Sequence, residues 1–184
     1  MHRRLTQPSS GMARALRGWL APFAVMVMLT VSGAVLPANT AHADNGMGSG
    51  PAKVVYHADF KDPRRFSAML TSIYNMVTTY RNNLRDYDVR IVFNSFGLRF
   101  LTDDKLEGTP FEAKEALQAR REDLKGRLMS LKNTYDVKLE LCDITREEVG
   151  LSKDAFYTGV DFVASGVVRV AELQNRGFAY IKIE

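Results

Sequence analysis

Residues 137–148 read Val-Lys-Leu-Glu-Leu-Cys-Asp-Ile-Thr-Arg-Glu-Glu, and they carry the clearest indication of the fold class. The alternating apolar and polar side chains of 137–142 predict a β-strand. Thr145–Glu148 has the capping-box pattern, so a short helix is predicted directly after the strand. A strand that passes straight into a helix is typical of α/β domains.

The same alternation continues on both sides of this segment. Further strands are predicted at 53–57, 88–94, 160–163 and 178–183. Helices are predicted from Pro63 to Leu84, from the capping box Thr109–Glu112 to about Asn133, and over Ser165–Asn175 with Gly177 after its end. This order predicts a three-layer α/β domain with a mostly parallel five-stranded sheet.

Charge is distributed unevenly along the 184 residues. Four of the 25 Lys and Arg residues lie in residues 1–43, which contain no acidic residue, and this leaves 21 basic residues against 21 acidic ones. The net charge of +4 therefore belongs to the N-terminal segment. Because the rest of the chain lacks a basic excess, a nucleic-acid partner is not expected.

The N-terminal 43 residues have the pattern of a secretory signal peptide. Basic residues up to Arg17 precede an apolar stretch from Trp19 to Leu36, and Ala41-His42-Ala43 fits the A-x-A cleavage pattern. Cleavage is predicted after Ala43, and the domain is then periplasmic. The apolar stretch is about long enough to span a membrane, so an uncleaved anchor is the alternative. No other membrane segment is expected.

A flexible linker is predicted at 44–52, and the domain at 53–184. In parallel α/β sheets, ligands bind outside the carboxyl ends of the strands, near the point where the strand order reverses. The polar residues expected at that edge are His57, Asn94, Ser95, Cys142, Asp143 and Ser165.

Cys142 is the main candidate for chemistry, since it ends a strand just before a helix. Unpaired N–H groups at a helix N-terminus favour the thiolate, which is the nucleophilic form of cysteine. Cys142 shares its strand face with Lys138 and Glu140, and this polar face favours an accessible thiol. The alternative is a small buried side chain, which is common for free cysteine. His57 is a candidate base or ion partner, or else a strand-end histidine bonded to nearby backbone.

No spacing of His, Cys, Asp or Glu resembles a metal site, so no metal is expected. Ser95-Phe96-Gly97 is too weak a signal for a nucleotide loop, and no cofactor is expected. The single Cys excludes an intrachain disulfide framework.

Several segments are similar to the DsrE/DsrF-like family of sulfur-relay proteins. The similar stretches are the first strand Val54-Val55-Tyr56-His57, the strand that ends in Cys142, Gly159–Val167 and Leu173–Lys182. The resemblance implies a YchN-like fold, a trimer or hexamer, and a Cys at the position of Cys142 that accepts persulfide sulfur. It also implies a protein donor or acceptor of that sulfur.

Two functions remain open from the sequence. The first is a periplasmic sulfur-handling protein, at most a sulfurtransferase-like carrier, in which Cys142 holds the sulfur as a persulfide. The second is a non-catalytic oligomeric binding or scaffold protein with the same fold. The charged segment 102–133 is longer than expected for the family, and no role follows from its sequence.

Overall fold

The computed structural model describes residues 50–184. Five strands form one sheet: β1 Ala52–Ala58, β2 Tyr87–Phe93, β3 Lys138–Cys142, β4 Val160–Val163 and β5 Ala179–Ile181. Their order is β4-β3-β2-β1-β5, and every neighbouring pair is parallel. The predicted five-stranded α/β sheet is confirmed, and it is parallel throughout.

Helices cover both faces of this sheet. They are α1 Pro63–Asn82, α2 Glu115–Gln118, α3 Arg121–Tyr135, α4 Asp143–Glu148 and α5 Gly166–Asn175, with 3₁₀ turns at Ser95–Phe100 and Lys153–Ala155. The larger apolar core joins one sheet face to α1 and α3. On the other face, Val55 and Val92 pack with Val170 and Leu173 of α5. These two cores make the three predicted layers.

Helix α1 begins as its sequence predicts. The side chain of Asp62 accepts a hydrogen bond of 2.7 Å from the backbone N–H of Arg64, and Pro63 occupies the first turn. The predicted end at Leu84 is wrong. The helix stops at Asn82, and Leu84 has a φ of 52° and a 96% exposed side chain. The side chain of Leu84 fits the apolar spacing of the helix, but the backbone at Leu84 is no longer helical.

The segment before α3 corrects another prediction. Thr109 does not cap a helix: its hydroxyl accepts from the N–H of Phe111 at 3.1 Å and donates to the carbonyl of Leu106 at 2.8 Å. These bonds close a turn that places Leu106, Phe111 and Ala113 in the core. Burial of three apolar side chains therefore outweighs the local capping preference, and the first helix after it is α2.

The domain boundary also shifts slightly. Strand β1 begins at Ala52, inside the predicted linker 44–52. Residues 1–49, which hold the predicted signal peptide, its cleavage site and most of that linker, lie outside the described residues. Within 50–184, no helix is long and apolar enough to cross a membrane.

Gly97 fixes the 3₁₀ turn Ser95–Phe100 against the end of β1. A methyl group at Gly97 would overlap the carbonyl oxygen of Ala58 and lie 2.7 Å from its carbonyl carbon. Because backbone atoms cannot rotate away, we expect Gly97→Ala to reduce the free energy of unfolding by about 3 kcal/mol in urea denaturation. Gly126→Ala is the control, since Gly126 lies within α3 with open space around it. That variant is expected to stabilise by about 1 kcal/mol. Equal effects of the two substitutions would contradict the packing at Gly97.

Candidate site at the carboxyl edge of the sheet

Cys142 is the last residue of β3 and the residue that precedes α4. It is a free cysteine, and only 5% of its surface is exposed in the single chain. The expectation that its polar strand face would leave the thiol accessible is therefore wrong. The alternation of residues along β3 places Cys142 on the face of Lys138 and Glu140. It gives no information on α5, the helix that lies against this end of the strand.

The residue that covers this position is Gly166, the first residue of α5. A Cβ atom built on Gly166 would lie 3.2 Å from the Cβ of Cys142 and 3.1 Å from the Cβ of Asn94. The absence of a side chain thus lets the N-terminus of α5 approach both residues closely. The positive end of a ten-residue helix consequently lies beside the thiol.

His57 and Asn94 form a second contact at this edge. The Nε2 of His57 lies 2.9 Å from the Oδ1 of Asn94, so the ring nitrogen donates to the amide oxygen when it carries a proton. Asn94 is buried and follows β2 directly. The structure therefore brings together Cys142, Asn94 and His57 from three neighbouring strands, with Asn94 in the middle.

The other three predicted site residues are engaged elsewhere. The backbone N–H of Ser95 donates to the hydroxyl of Thr145 at 3.1 Å. The carboxylate of Asp143 accepts from Nε of Arg146 at 2.5 Å, and this bond lowers the pKa of Asp143 below its ordinary value. The hydroxyl of Ser165 lies 3.5 Å from the N–H of Val168 and caps α5. The Ser95 backbone and the side chains of Asp143 and Ser165 thus hold the segments around the thiol.

A buried ion cluster lies two residues before the thiol on the same strand face. Glu140 is 3% exposed and accepts from Nη1 of Arg90 at 2.7 Å and from Nε of Arg169 at 2.6 Å. Arg90 also pairs with Asp88 at 2.7 Å. The cluster joins β2, β3 and α5, and it therefore ties the helix that covers Cys142 to the sheet.

Sequence reasoning did not identify this cluster as part of the site. The available signal was the position of Glu140 on the strand face of Cys142, opposite Val92 and Asp161 in the sheet register. An acidic residue at an interior strand position indicates a buried partner, since an unpaired carboxylate there is strongly disfavoured. The partner Arg169 lies 29 residues away on α5, and no local pattern links the two.

The expected location relative to the strand reversal also needs correction. The order changes direction at β1, which lies between β2 and β5. Cys142 ends β3, on the far side of β2 from that point. Only His57 of the predicted residues lies on a strand at the reversal. The thiol is therefore at the carboxyl edge of the sheet but not at the position that usually binds ligands in such sheets.

Within residues 50–184, no group of three or more His, Cys, Asp or Glu side chains is placed to hold a metal ion. Asn94 lies between Cys142 and the imidazole of His57, to which its amide is hydrogen-bonded. Both side chains can donate and accept hydrogen bonds.

A parallel five-stranded sheet with a cysteine at the end of an interior strand defines a class of small α/β proteins. The family model of the DsrE/DsrF-like family matches residues 54–183, and the chain belongs to this family. The resemblance found in the sequence is confirmed. Membership indicates a function related to sulfur relay.

A solved structure shares the fold. It is described as a protein of unknown function, MTH1491, from Methanobacterium thermoautotrophicum. The two chains are 25% identical, with a TM-score of 0.54, and the alignment covers 71% of this chain and 98% of that one. The comparison with curated proteins finds no match.

Proposed function

We propose that the protein is a periplasmic sulfur carrier that holds a sulfane sulfur on Cys142 as a persulfide. The observation that carries this proposal is the position of the only thiol of the chain, at the carboxyl end of an interior strand and against the first residue of α5. Family membership supports it, because the resemblance to the sulfur-relay members implies a persulfide-accepting cysteine at the position of Cys142.

Loading is a simple thiol exchange. The Cys142 thiolate attacks the outer sulfur of a donor R–S–SH, the S–S bond of the donor breaks, and R–S⁻ leaves. The product is Cys142–S–SH. An acceptor thiolate then attacks the outer sulfur of that persulfide. The S–S bond to Cys142 breaks, and the Cys142 thiolate is restored. No net oxidation or reduction of the protein occurs.

The surroundings of Cys142 favour an anionic sulfur. The N-terminus of α5, with the positive end of its dipole, lies next to the side chain of Cys142. The nearest acidic residue in sequence, Asp143, has its charge compensated by Arg146 and by Lys153, whose Nζ lies 3.8 Å away. Repulsion of a thiolate or persulfide anion by Asp143 is thereby reduced.

Burial sets one condition on this mechanism. A donor cannot reach Cys142 while this residue is buried against Gly166, so the N-terminal turn of α5 must open before transfer. Opening of this turn leaves Val170 and Leu173 in their core contacts, because they lie further along the helix. Local opening of this kind requires less free energy than unfolding of the whole domain.

Mass spectrometry of the folded protein tests the proposal. The purified chain is incubated with a low-molecular-weight persulfide and then with an excess of an acceptor thiol. We expect a gain of about 32 Da, the mass of one sulfur, on the peptide that contains Cys142, and its loss when the acceptor is added. A folded protein that never gains this mass, with a thiol that reacts only after unfolding, would overturn the proposal.

The cellular location is part of the same proposal. Export to the periplasm is supported by the apolar segment and the Ala41-His42-Ala43 motif. The mass of the protein recovered from cells tests it: removal of residues 1–43 supports export with cleavage, and the full-length mass in a membrane fraction supports the uncleaved anchor.

The second candidate function is a non-catalytic binding or scaffold protein. The burial of Cys142 and the engagement of His57 with Asn94 favour it, because the imidazole is already bonded to the amide of Asn94. In that case Cys142→Ala leaves partner binding and cellular phenotype unchanged. Loss of either in a folded variant would reject this candidate.

We also propose that the protein forms a homo-oligomer through the surface next to the thiol. Val167 and Val168 follow Gly166 and are 66% and 55% exposed, and Ile144 near Cys142 is also exposed. Exposed apolar side chains grouped in this way are typical of contact surfaces.

We expect Val168→Asp to shift a trimer or hexamer to monomer in analytical ultracentrifugation. Leu84→Asp, at a still more exposed apolar site away from the thiol, serves as the control. A monomeric wild type, or equal behaviour of both variants, would contradict the proposal.

A further inference from the structure

A second site is indicated by a large cavity that the sulfur proposal does not use. It has a volume of about 920 Å³ and lies between the start of α1, the 3₁₀ turn Ser95–Phe100 and the segment 109–120. This volume is within the range of small-molecule sites in proteins. The segment 109–120 belongs to the charged region 102–133, for which the sequence indicated no role.

The wall of the cavity is strongly basic. Five cationic side chains line it, against two carboxylates, those of Asp62 and Glu112. The cations are Lys61, Arg64, Arg99, Lys114 and Arg120. The remaining wall is largely apolar and includes Phe96, Pro110 and Leu117. A wall of this composition fits a ligand with one anionic group and an apolar body.

Arg99 is the residue that distinguishes this cavity from a basic surface. It lines the cavity, yet it is only 5% exposed. Its Nε has no hydrogen-bond partner among residues 50–184. A buried charge without a partner is costly, and proteins normally pair it. The guanidinium carbon lies 5.3 Å from the ring centroid of Phe96, and this aromatic contact leaves Nε without the acceptor that an anion in the cavity can supply.

A second arginine increases the positive potential at this point. Arg121 is buried, and its Nη1 donates to the backbone carbonyls of Arg99 and Thr102, while its Nε and Nη2 have no partner within the described part of the chain. Burial and the neighbouring Arg121 together lower the pKa of Arg99, although Glu112 partly opposes this. An anion beside Arg99 would compensate its buried charge and reduce its repulsion with Arg121.

We propose that this cavity binds a small organic anion, with its carboxylate or phosphate group on Arg99 and its apolar body against Phe96 and Leu117. The site is independent of Cys142 and of the sulfur-carrier proposal. Lys61 and Lys114, both exposed at its mouth, attract the anion and contribute less than Arg99 because solvent screens them.

Calorimetric titration with phenyl phosphate tests the site, because this probe combines an aromatic ring with a phosphate. We expect saturable binding to the full chain, weaker binding of inorganic phosphate and benzoate, and none of phenol. Stronger binding of benzoate than of phenyl phosphate would assign the site to carboxylates. Arg99→Met retains the apolar stem and removes the charge, and it should weaken phenyl phosphate binding roughly 10- to 100-fold.

Two controls separate a binding role of Arg99 from a structural one. Lys138→Met removes a partly exposed lysine that pairs with Asp136 outside the cavity, and it should leave the affinity unchanged. Arg99→Met should keep or raise the melting temperature, since it removes an unpaired buried charge. A lowered melting temperature with unchanged affinity would show that Arg99 supports the fold and would overturn the proposal.

If Arg99→Met does not fold, substitutions of two exposed lysines of the cavity still test the proposal. Lys61→Gln and Lys114→Gln lie at the surface, and each should weaken phenyl phosphate binding roughly threefold. Affinity that is unchanged in both, or a wild type that binds neither phenyl phosphate nor benzoate at millimolar concentration, would overturn the proposal.

Discussion

Substitution of Cys142 by alanine is expected to abolish sulfur loading completely. The chain has one cysteine, so no second thiol can take over the role. After incubation with a persulfide donor and removal of the excess, cyanide should release up to one equivalent of thiocyanate from the wild type. It should release none from Cys142→Ala. The whole signal is lost because the attacked atom itself is absent.

Alanine is the appropriate replacement because of the burial of this site. Serine would place a hydroxyl beside Gly166 and Asn94 in a buried position, and an unsatisfied hydroxyl there destabilises the fold. Alanine removes only the sulfur, at a cost of about 1 kcal/mol in the free energy of unfolding. Ser165→Ala is the control, since it alters the cap of α5 and retains the thiol. Sulfur release from Cys142→Ala would contradict the assignment.

Glu140→Gln is expected to destabilise the fold about as strongly as Gly97→Ala. Glutamine has the shape of glutamate without its charge, so the guanidinium groups of Arg90 and Arg169 would remain half-buried without full compensation. Removal of one partner from a buried ion cluster costs about 3 kcal/mol. Chemical denaturation at pH 7 measures this loss. Glu172→Gln is the control: this residue also pairs with Arg169, at 3.7 Å, but is half exposed, and its loss should cost at most about 0.5 kcal/mol.

The loss of unfolding free energy caused by Glu140→Gln depends on pH, because the charge of Glu140 stabilises the ion cluster with Arg90 and Arg169. Burial by itself would raise the pKa of the Glu140 carboxyl, but hydrogen bonds from Arg169 and Arg90 lower it below its ordinary value. A lowered folded-state pKa adds stability that is present above the unfolded-state pKa, about 4.3 for Glu. It is lost as the pH falls through the folded-state pKa.

The difference in unfolding free energy between the wild type and Glu140→Gln should therefore be largest at neutral pH and shrink below about pH 4. In acid the wild-type carboxyl becomes protonated and resembles the amide. Denaturation curves of both proteins between pH 7 and pH 3 measure the difference. A constant difference over this range would contradict the ion cluster as its cause.

The sheet and most helices could be predicted because their signals are local. Helix α1 carries its own cap at Asp62 and its own apolar spacing, and the structure retains both. The Thr109 turn shows the limit: the same residues suit a helix cap or a tight turn, and the buried side chains of Phe111 and Ala113 decide between them. That choice depends on contacts distant in sequence.

The sequence predicted which strand ends meet at this edge of the sheet, but not the geometry there. Parallel topology brings His57, Asn94 and Cys142 to one edge, as strand ends predict. The burial of Cys142 depends on Gly166, whose approach requires α5 to be held by Arg169 and Glu140. Neither the pairing of residues 29 apart nor the closeness of a helix N-terminus can be read from local patterns.

The central claim is that the Cys142 thiol becomes accessible in the folded protein through local opening of α5. The rate of its alkylation by iodoacetamide, measured at increasing urea concentrations well below the unfolding transition, tests this most directly. We expect measurable alkylation without urea and a dependence on urea much weaker than that of global unfolding. A rate that follows the full urea dependence of global unfolding would show that the thiol is reached only in the unfolded chain, and would contradict the sulfur-carrier account.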